Sequence, residues 1–517
     1  MRVWRGMGLI CLLALGCGGA LSNEGMQEDE RSQLSAPTGL PESGLLESGI
    51  QDEMAPEQAQ PALGTAHLVK DLFPPISGPP WWGPFPESLV AFQGKLFFAA
   101  NFEDGRRELW KSDGTSGGTV PVKQFSSPPS GFFFNTLNEL TPLGSRLFFV
   151  VSDADHGREL WVSDGTTGGT RLVKDIVPGP GDSGPYHLKA VGSWLLFFRY
   201  IPETPTSPSR TELWRSDGTE AGTVRIKDLG ADTSLSFVDV VVNNTLFFVF
   251  TDPAHGTELW KSNGTEAGTG LVKDILPGPD SSYPYGLRAL GHNVYFTATD
   301  LAHGTELWRS DGTLSGTVLA ADLKPGPDSN YVQVLDAVLD YLYFAVRDQP
   351  DGSMTLYRLR NGAPASHVKF VAHLPNPYSD PDSSLYIDTF AVAGERLFFS
   401  LGIYGFGPAP RDTQLWASNG TTAGTTMVHH PLSLYDEFGT TLFALDKRVL
   451  FSGADDTSGL ELWVSKGTLS NTRRVQDISP GPASSFPQGF TRVGSQVFFV
   501  AHDGVHGSEL WVLPLRY

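Results

Sequence analysis

Short apolar runs recur along the chain without the alternation that a half-wetted strand requires. Leu96-Phe97-Phe98, Leu147-Phe148-Phe149, Leu246-Phe247-Phe248, Leu397-Phe398-Phe399 and Val497-Phe498-Phe499 are apolar at every successive position. A strand apolar on both faces belongs to a sheet covered on both sides. Beyond the first twenty residues no stretch sustains a 3.6-residue apolar period, and 58 Gly and 38 Pro punctuate the runs. The pattern is that of an all-β chain. Around one such run it predicts four strands, over 139–143, 146–151, 159–163 and 171–176, before Pro178-Gly179-Pro180 breaks the chain.

The runs belong to a larger repeat. Glu108-Leu109-Trp110-Lys111-Ser112-Asp113-Gly114-Thr115, followed by Gly118-Thr119, has near copies opening at Glu159, Glu212, Glu258, Glu306, Gln414, Glu461 and Glu509. A decayed copy stands at Thr355-Leu356-Tyr357, which makes nine units, with aromatic anchors 46 to 59 residues apart. Four-stranded units of this period, each covered by like neighbours, predict a β-propeller. The last unit ends at Trp511-Val512-Leu513-Pro514 with no fourth strand, while 64–72 is a fourth strand with no unit before it. Joining the two closes a single ring with no open edge. The count predicts nine blades, or eight if the unit at Tyr357 does not form one.

The recurring Glu-Leu-Trp-x-Ser-Asp-Gly-Thr, with Gly-Thr-x-x-Val-Lys-Asp-Ile after it, resembles the bacterial ELWxxDGT repeat proteins, and the resemblance spans residues 64 to 517. It implies a secreted or surface protein. The order of a Leu-Phe-Phe strand followed by a Leu-Trp strand is similar to kelch propellers in architecture only. Neither likeness supplies a catalytic set, and propellers host many functions.

The amino terminus changes the picture of where the ring resides. Arg2 and Arg5, an apolar core over 8–15, and Ala14-Leu15-Gly16-Cys17 form a targeting segment, with residues 1–17 resembling a lipoprotein signal and its lipobox. Ala14 stands where lipoboxes carry Leu, so ordinary signal cleavage is the alternative. The resemblance implies lipidation of Cys17 and residence in the outer membrane or at the cell surface, against a periplasmic or secreted form. Residues 18–63, rich in Gly, Ser, Pro and acidic side chains, are expected to be a disordered tether. The only other cysteine is Cys11, so once Cys17 is lipidated the folded part has no thiol for a disulfide, a metal or a nucleophile.

A formal net charge of −20 excludes a phosphate-neutralising surface, hence nucleic acid, and leaves a lipid anchor as the membrane contact. No nucleophile elbow, P-loop, dinucleotide loop or metalloprotease helix occurs in the folded part. The repeated Trp is expected to pack between blades, with its Nε1–H reaching a neighbouring strand. The Asp-Gly-Thr triplets are expected to cap turns. For the repeated Glu, the simplest partner is the Lys of the following strand (Lys123, Lys174, Lys227 or Lys273), although Ala321 replaces that Lys in the fifth unit. Asp153 and Asp155 are weak candidates for Ca²⁺, against a turn role shared with Asp252/His255 and Asp300/His303.

Short, regular turns follow the first and third strands, so the variable loops gather on the opposite face. Trp81 and Trp82, Phe132 and Phe133, Tyr186, Tyr283, Tyr285 and Tyr404 fall there and are the candidate ligand contacts. The sequence thus reads as a monomeric binding or adhesion scaffold for a protein or envelope polysaccharide, needing no cofactor. The alternative is a carbohydrate hydrolase or lyase with acidic residues gathered near the ring axis.

Overall fold

A computed structural model describes residues 60–516 except 73–84, 103–104, 127–136, 330, 348–350, 379–382, 406–409, 433–441 and 456. Cys17, Trp81, Trp82, Phe132 and Phe133 therefore lie outside the described residues, as do the first 59 positions. Two single-turn 3-10 helices, Ala365–His367 and Leu469–Asn471, are the only helical elements described, and none is long and apolar enough to cross a membrane.

Nine antiparallel sheets follow one another along the chain. Numbered as blades in chain order, they span 86–125, 138–174, 185–231, 234–273, 285–321, 331–374, 384–429, 442–476 and 488–516. Blade 2 shows the plan, with strands Asn138–Leu143, Arg146–Asp153, Gly157–Ser163 and Arg171–Lys174 paired in sequence order. Blade 6, the unit of Tyr357, is complete: Met354–Arg360 pairs with strands on both sides, and Tyr357 stacks on Phe344 at 5.8 Å. An eight-bladed ring is thereby ruled out.

The ring closes as the repeat arithmetic requires. The last strand, Ser508–Arg516, pairs with His67–Lys70, which supplies the fourth strand of blade 9. It also pairs with Ala62–Leu63, two residues before the expected start, and the Gly64 N–H donates to the Pro514 carbonyl at 2.7 Å.

The doubly apolar second strands explain where the core lies. There is no central core. Nine apolar clusters instead fill the nine interfaces between consecutive blades, and Val69, Phe98, Trp110 and Phe498 join blade 9 to blade 1. Each repeated aromatic packs onto the preceding blade; Trp161, for example, meets Phe125 edge-on at 5.0 Å. First strands of neighbouring blades touch one another, blade 9 against blade 1 included, so they line the axis.

First and second strands are joined by two-residue hairpins, such as Asn243-Asn244 with φ of 49° and 59°. Such left-handed turns match the twist of the strands they join. The axial strands also carry a bulge in eight of the nine blades, for instance between Tyr186 and Lys189 and between Ile387 and Phe390. Bulges re-aim side chains where a sheet edge meets a site.

Candidate functional site

The repeated motif is spent on the fold, and its bonds show how. In blade 2, Asp164 Oδ1 accepts the Thr166 N–H at 2.9 Å and the Thr166 hydroxyl at 2.7 Å. Thr166 Oγ1 accepts the Gly169 N–H at 3.0 Å, and the Thr170 hydroxyl donates to the Thr166 carbonyl at 2.6 Å. Ser163 Oγ accepts the Gly165 N–H at 2.9 Å and lies 2.7 Å from Thr170 Oγ1. Gly169 admits no substitute, because a Cβ there would stand 2.0 Å from Asp164 Oδ1. The same cap recurs at Asp113, Asp217, Asn263, Asp311 and Asn419.

The expected pairing of the repeated Glu with Lys does not form. Each Lys instead crosses to the next blade: Lys70, Lys123, Lys174, Lys227 and Lys273 donate to the carbonyls of Thr119, Thr170, Thr223, Thr269 and Thr317 at 2.8–3.1 Å. The Lys123 ammonium also sits 4.9 Å from the Trp161 ring. A flexible cation at the outer rim reaches a carbonyl and an aromatic face without being desolvated, which a buried Glu could not offer it.

The Glu carboxylates turn inward to backbone. Glu461 accepts the Ile478 and Ser479 N–H groups at 2.7 and 3.2 Å and the Ser485 hydroxyl at 2.7 Å. Glu159 and Glu258 repeat the arrangement with Ser183 and Ser282. Burial pushes Glu159, Glu306 and Glu461 up to about 7 despite these donors. Nor does the indole N–H reach a neighbouring strand. Trp110 and Trp214 donate to the Glu two positions earlier in their own strands, at 2.7 and 3.0 Å. In blades 2, 4, 5, 8 and 9, where the Glu is engaged by backbone, the indole nitrogen has no partner among the described residues.

Asp153 belongs to a turn. Its Oδ1 accepts the N–H groups of Asp155 and His156 at 3.0 and 2.7 Å and lies 3.0 Å from His156 Nδ1. Asp252/His255, Asp300/His303 and Asp503/His506 repeat it. The hydrogen bond to Asp raises all four histidines above their ordinary value. Asp155 contributes its N–H to this turn, and among the described residues no three His, Cys, Asp or Glu converge as metal ligands.

What the repeats leave over lies on the variable face. Tyr285, Tyr331 and Tyr386 lie at or near the start of the axial strands of blades 5, 6 and 7, while Arg347 and Tyr404 end the second strands of blades 6 and 7. These ends share one face; those of blades 6 and 7 meet, and Tyr285 of blade 5 stands near enough to act by its charge on Tyr331. Tyr386 lies edge-on to Tyr331 at 5.7 Å and to Tyr404 at 5.4 Å. The Arg347 guanidinium is held between Tyr331 and Tyr386, 4.3 and 4.2 Å from their centroids, and donates to the Leu385 carbonyl at 2.6 Å. Its Nε–H has no partner among the described residues. Gly402 makes room for Tyr404, since a Cβ there would approach the tyrosine ring to 2.6 Å and Asp388 Oδ2 to 2.5 Å. Burial pushes the Tyr331 hydroxyl up to about 12. Tyr285 is 55% exposed and Tyr331 38%.

A second aromatic group lies on blades 3 and 4. Tyr186 packs between Phe198 and Phe237, each at 6.2 Å, and Phe237 is 75% exposed. Beside it, Asp239 contacts the His187 ring and binds Lys189 Nζ at 3.0 Å, tying blade 4 to blade 3. Tyr283 is exposed at the loop before blade 5 and stacks on none of these rings. Of the described candidates, then, Tyr285 and Tyr404 belong to the first group and Tyr186 to the second. Tyr331, Tyr386 and Arg347 went unnoticed in the sequence. Tyr331 opens its axial strand as Tyr285 does, and register was the signal that could have found it.

Two acidic side chains of the axial strands are engaged by neighbouring protein groups. Glu139 accepts the His187 and Leu188 N–H groups at 3.1 Å each, and Asp239 is held as above.

No protein-family model matches the chain, and no curated protein matches it. Among solved structures it is similar to a puromycin-hydrolyzing peptidase of Mycobacterium tuberculosis (12% identity, TM-score 0.39, 81% of this chain and 57% of the peptidase). It is also similar to the β-propeller domain of the Trilobed protease from Pyrococcus furiosus (10% identity, TM-score 0.32, 64% and 96%). A third likeness is to polysaccharide lyase Uly1 (12% identity, TM-score 0.35, 69% and 98%). The chain spans just over half the length of the peptidase. At such identities and TM-scores these likenesses carry no conclusion for this chain, whose propeller is given by its own nine sheets.

Proposed function

We propose that the chain is a cell-envelope β-propeller of the ELWxxDGT repeat type, anchored through Cys17, whose variable face is a binding or adhesion surface for a protein or a polysaccharide. The observation that carries the reading is the tyrosine–arginine group spanning three adjacent blades at the axial end of the variable face. Aromatic rings with polar tips, held rigid by a sandwiched cation, suit recognition of a partner that is apolar on one side and hydroxylated on the other. The Asp-Gly-Thr residues support no competing chemistry, because their polar atoms are consumed within the turns.

The test uses the full chain beside a Cys17→Ser variant. The unaltered chain should fractionate with membranes and the variant should not. The soluble variant, incubated with an envelope extract, should capture a component without generating new chain ends in the polysaccharide. Appearance of new reducing or unsaturated ends would replace the scaffold with the hydrolase or lyase alternative. Equal membrane recovery of both chains would remove the lipid anchor.

A further inference from the structure

Resting on the scaffold reading, the geometry points to a glycan subsite formed by Tyr285, Tyr331, Arg347, Tyr386 and Tyr404, which takes a neutral hexose polysaccharide chain.

Three observations select this ligand class. First, the side chains that meet are phenols and one guanidinium, apolar on their faces and polar at their tips. A pyranose presents a C–H face to a ring and a rim of hydroxyls to polar tips, which is the complement of such a surface. Second, the rings form no flat table. Tyr331 and Tyr386 are inclined at 83° and Tyr386 and Tyr404 at 84°, so ring faces and edges alternate along the group. A chain of puckered rings, each turned relative to the last, meets such a surface better than a flat aromatic ligand or a regular helix face does. Third, the charge argues for neutrality. The chain carries −20 overall, and the exposed Asp388 stands beside Gly402 and acts by its charge on Tyr331, at the edge of the group that holds the one guanidinium. A uronate or sulfate polymer would be repelled at range and balanced by no cationic surplus at contact.

Rigidity makes the subsite pre-formed. Arg347 is clamped by two rings and a carbonyl, and Tyr404 lies against the bare backbone of Gly402. Little side-chain entropy is then lost on binding. The hydroxyls of Tyr285 and Tyr331, on the two exposed rings of the group, provide donors and acceptors for sugar oxygens.

The experiment is affinity electrophoresis of the full chain carrying Cys17→Ser through gels containing laminarin, xyloglucan, galactomannan or soluble starch, with alginate as the anionic comparison. Tyr285→Ala and Tyr404→Ala are run beside it, with Phe237→Ala as the control in the other aromatic group. Each variant is first shown to melt within a few degrees of its parent. Retardation by at least one neutral glycan, weakened at least tenfold in the two tyrosine variants and kept in Phe237→Ala, is expected. Retardation by alginate alone overturns the charge argument. Neutral retardation that survives both tyrosine substitutions, or is lost equally in Phe237→Ala, overturns the site. If no neutral glycan retards the chain while the same preparation captures an envelope protein, the glycan subsite fails and the scaffold reading stands. Shortened glycans recovered from the gel overturn the scaffold reading instead.

Discussion

At the scale of single residues, the Asp-Gly-Thr turn divides its work unequally. The Asp is an acceptor for two donors of one Thr, and only its Oδ1 is used, so an amide oxygen serves as well. Blades 4 and 7 already carry Asn263 and Asn419 in that role, with N–H distances of 3.1 Å. Asp164→Asn should therefore be close to neutral, whereas Asp164→Ala strands the Thr166 donors at the surface and should cost about 1 kcal/mol. Thermal melting of the two variants checks this; equal losses would mean that charge, not geometry, makes the cap. Gly169 has no such latitude, since its missing Cβ is where the carboxylate sits. All of this was legible in the sequence, because a local turn is written in contiguous residues. The fate of Glu and Lys was not. They lie in adjacent strands of one blade, and period-two reasoning pairs them, yet the Lys has a better acceptor in the next blade and the Glu a better set of donors in its own loop. Choosing between partners took knowledge of blade spacing.

At the scale of elements, the fourth strand of blade 9 differs from its counterparts because no tight turn ties it to the strand it pairs with. Val69 and Val173 occupy equivalent positions, 4% and 3% exposed, one in the closing strand and one in blade 2. Aspartate at either site buries a carboxylate in an apolar interface and should cost about 3 kcal/mol or more. The consequences should diverge. In Val173→Asp the neighbouring turn still holds the strand in register. In Val69→Asp the strand can leave as a unit, exposing the unpaired edge of Ser508–Arg516. Concentration-dependent association, followed by light scattering, should appear with Val69→Asp at temperatures where Val173→Asp stays monodisperse; identical behaviour would show that closure contributes nothing special. The strand order, the closure and the ninth blade could be derived from repeat counting because each is a statement about period. The tyrosine–arginine group could not, since its members come from five strands of three blades and share only a position relative to a strand end. Trp81 and Trp82, chosen as the least repeat-like pair, lie outside the described residues and leave that choice where the sequence put it.

At the scale of the whole molecule, the blades whose buried glutamates are shifted add their titrations in phase, and this sets the pH at which the ring is most stable. Glu159, Glu306 and Glu461 rise from 4.5 to about 7 on burial, and Glu258 rises with them. A carboxyl with a raised folded value binds protons on folding, so stability falls as pH climbs from about 4.5 to about 7 and stays low above that. The four histidines bonded to Asp act in the same direction: what they contribute is complete below 6.5 and disappears as pH rises through their higher folded values. Their rings are a third or more exposed, so solvent screens them and the buried glutamates dominate. On the acid side, Asp113, Asp164 and Asp311 are held below 3.8 by their bonds to Thr, and that contribution is lost as pH falls beneath this value. The opposing limbs place the optimum at about pH 4, between the two onsets, with a decline toward pH 8 and a second as pH falls beneath 3.8. Melting temperatures of the full chain across this range measure it, and the variant Glu461→Gln separates causes. Its amide keeps a carbonyl for the Ile478 N–H and the Ser485 hydroxyl, which share one oxygen, loses the acceptor of the Ser479 N–H and cannot titrate, so the variant should melt lower overall but fall less between pH 5 and 8 than the parent. A parent that melts higher at pH 8 than at pH 5 would mean that the buried glutamates are ionised at little cost, and that the donors around them outweigh their burial.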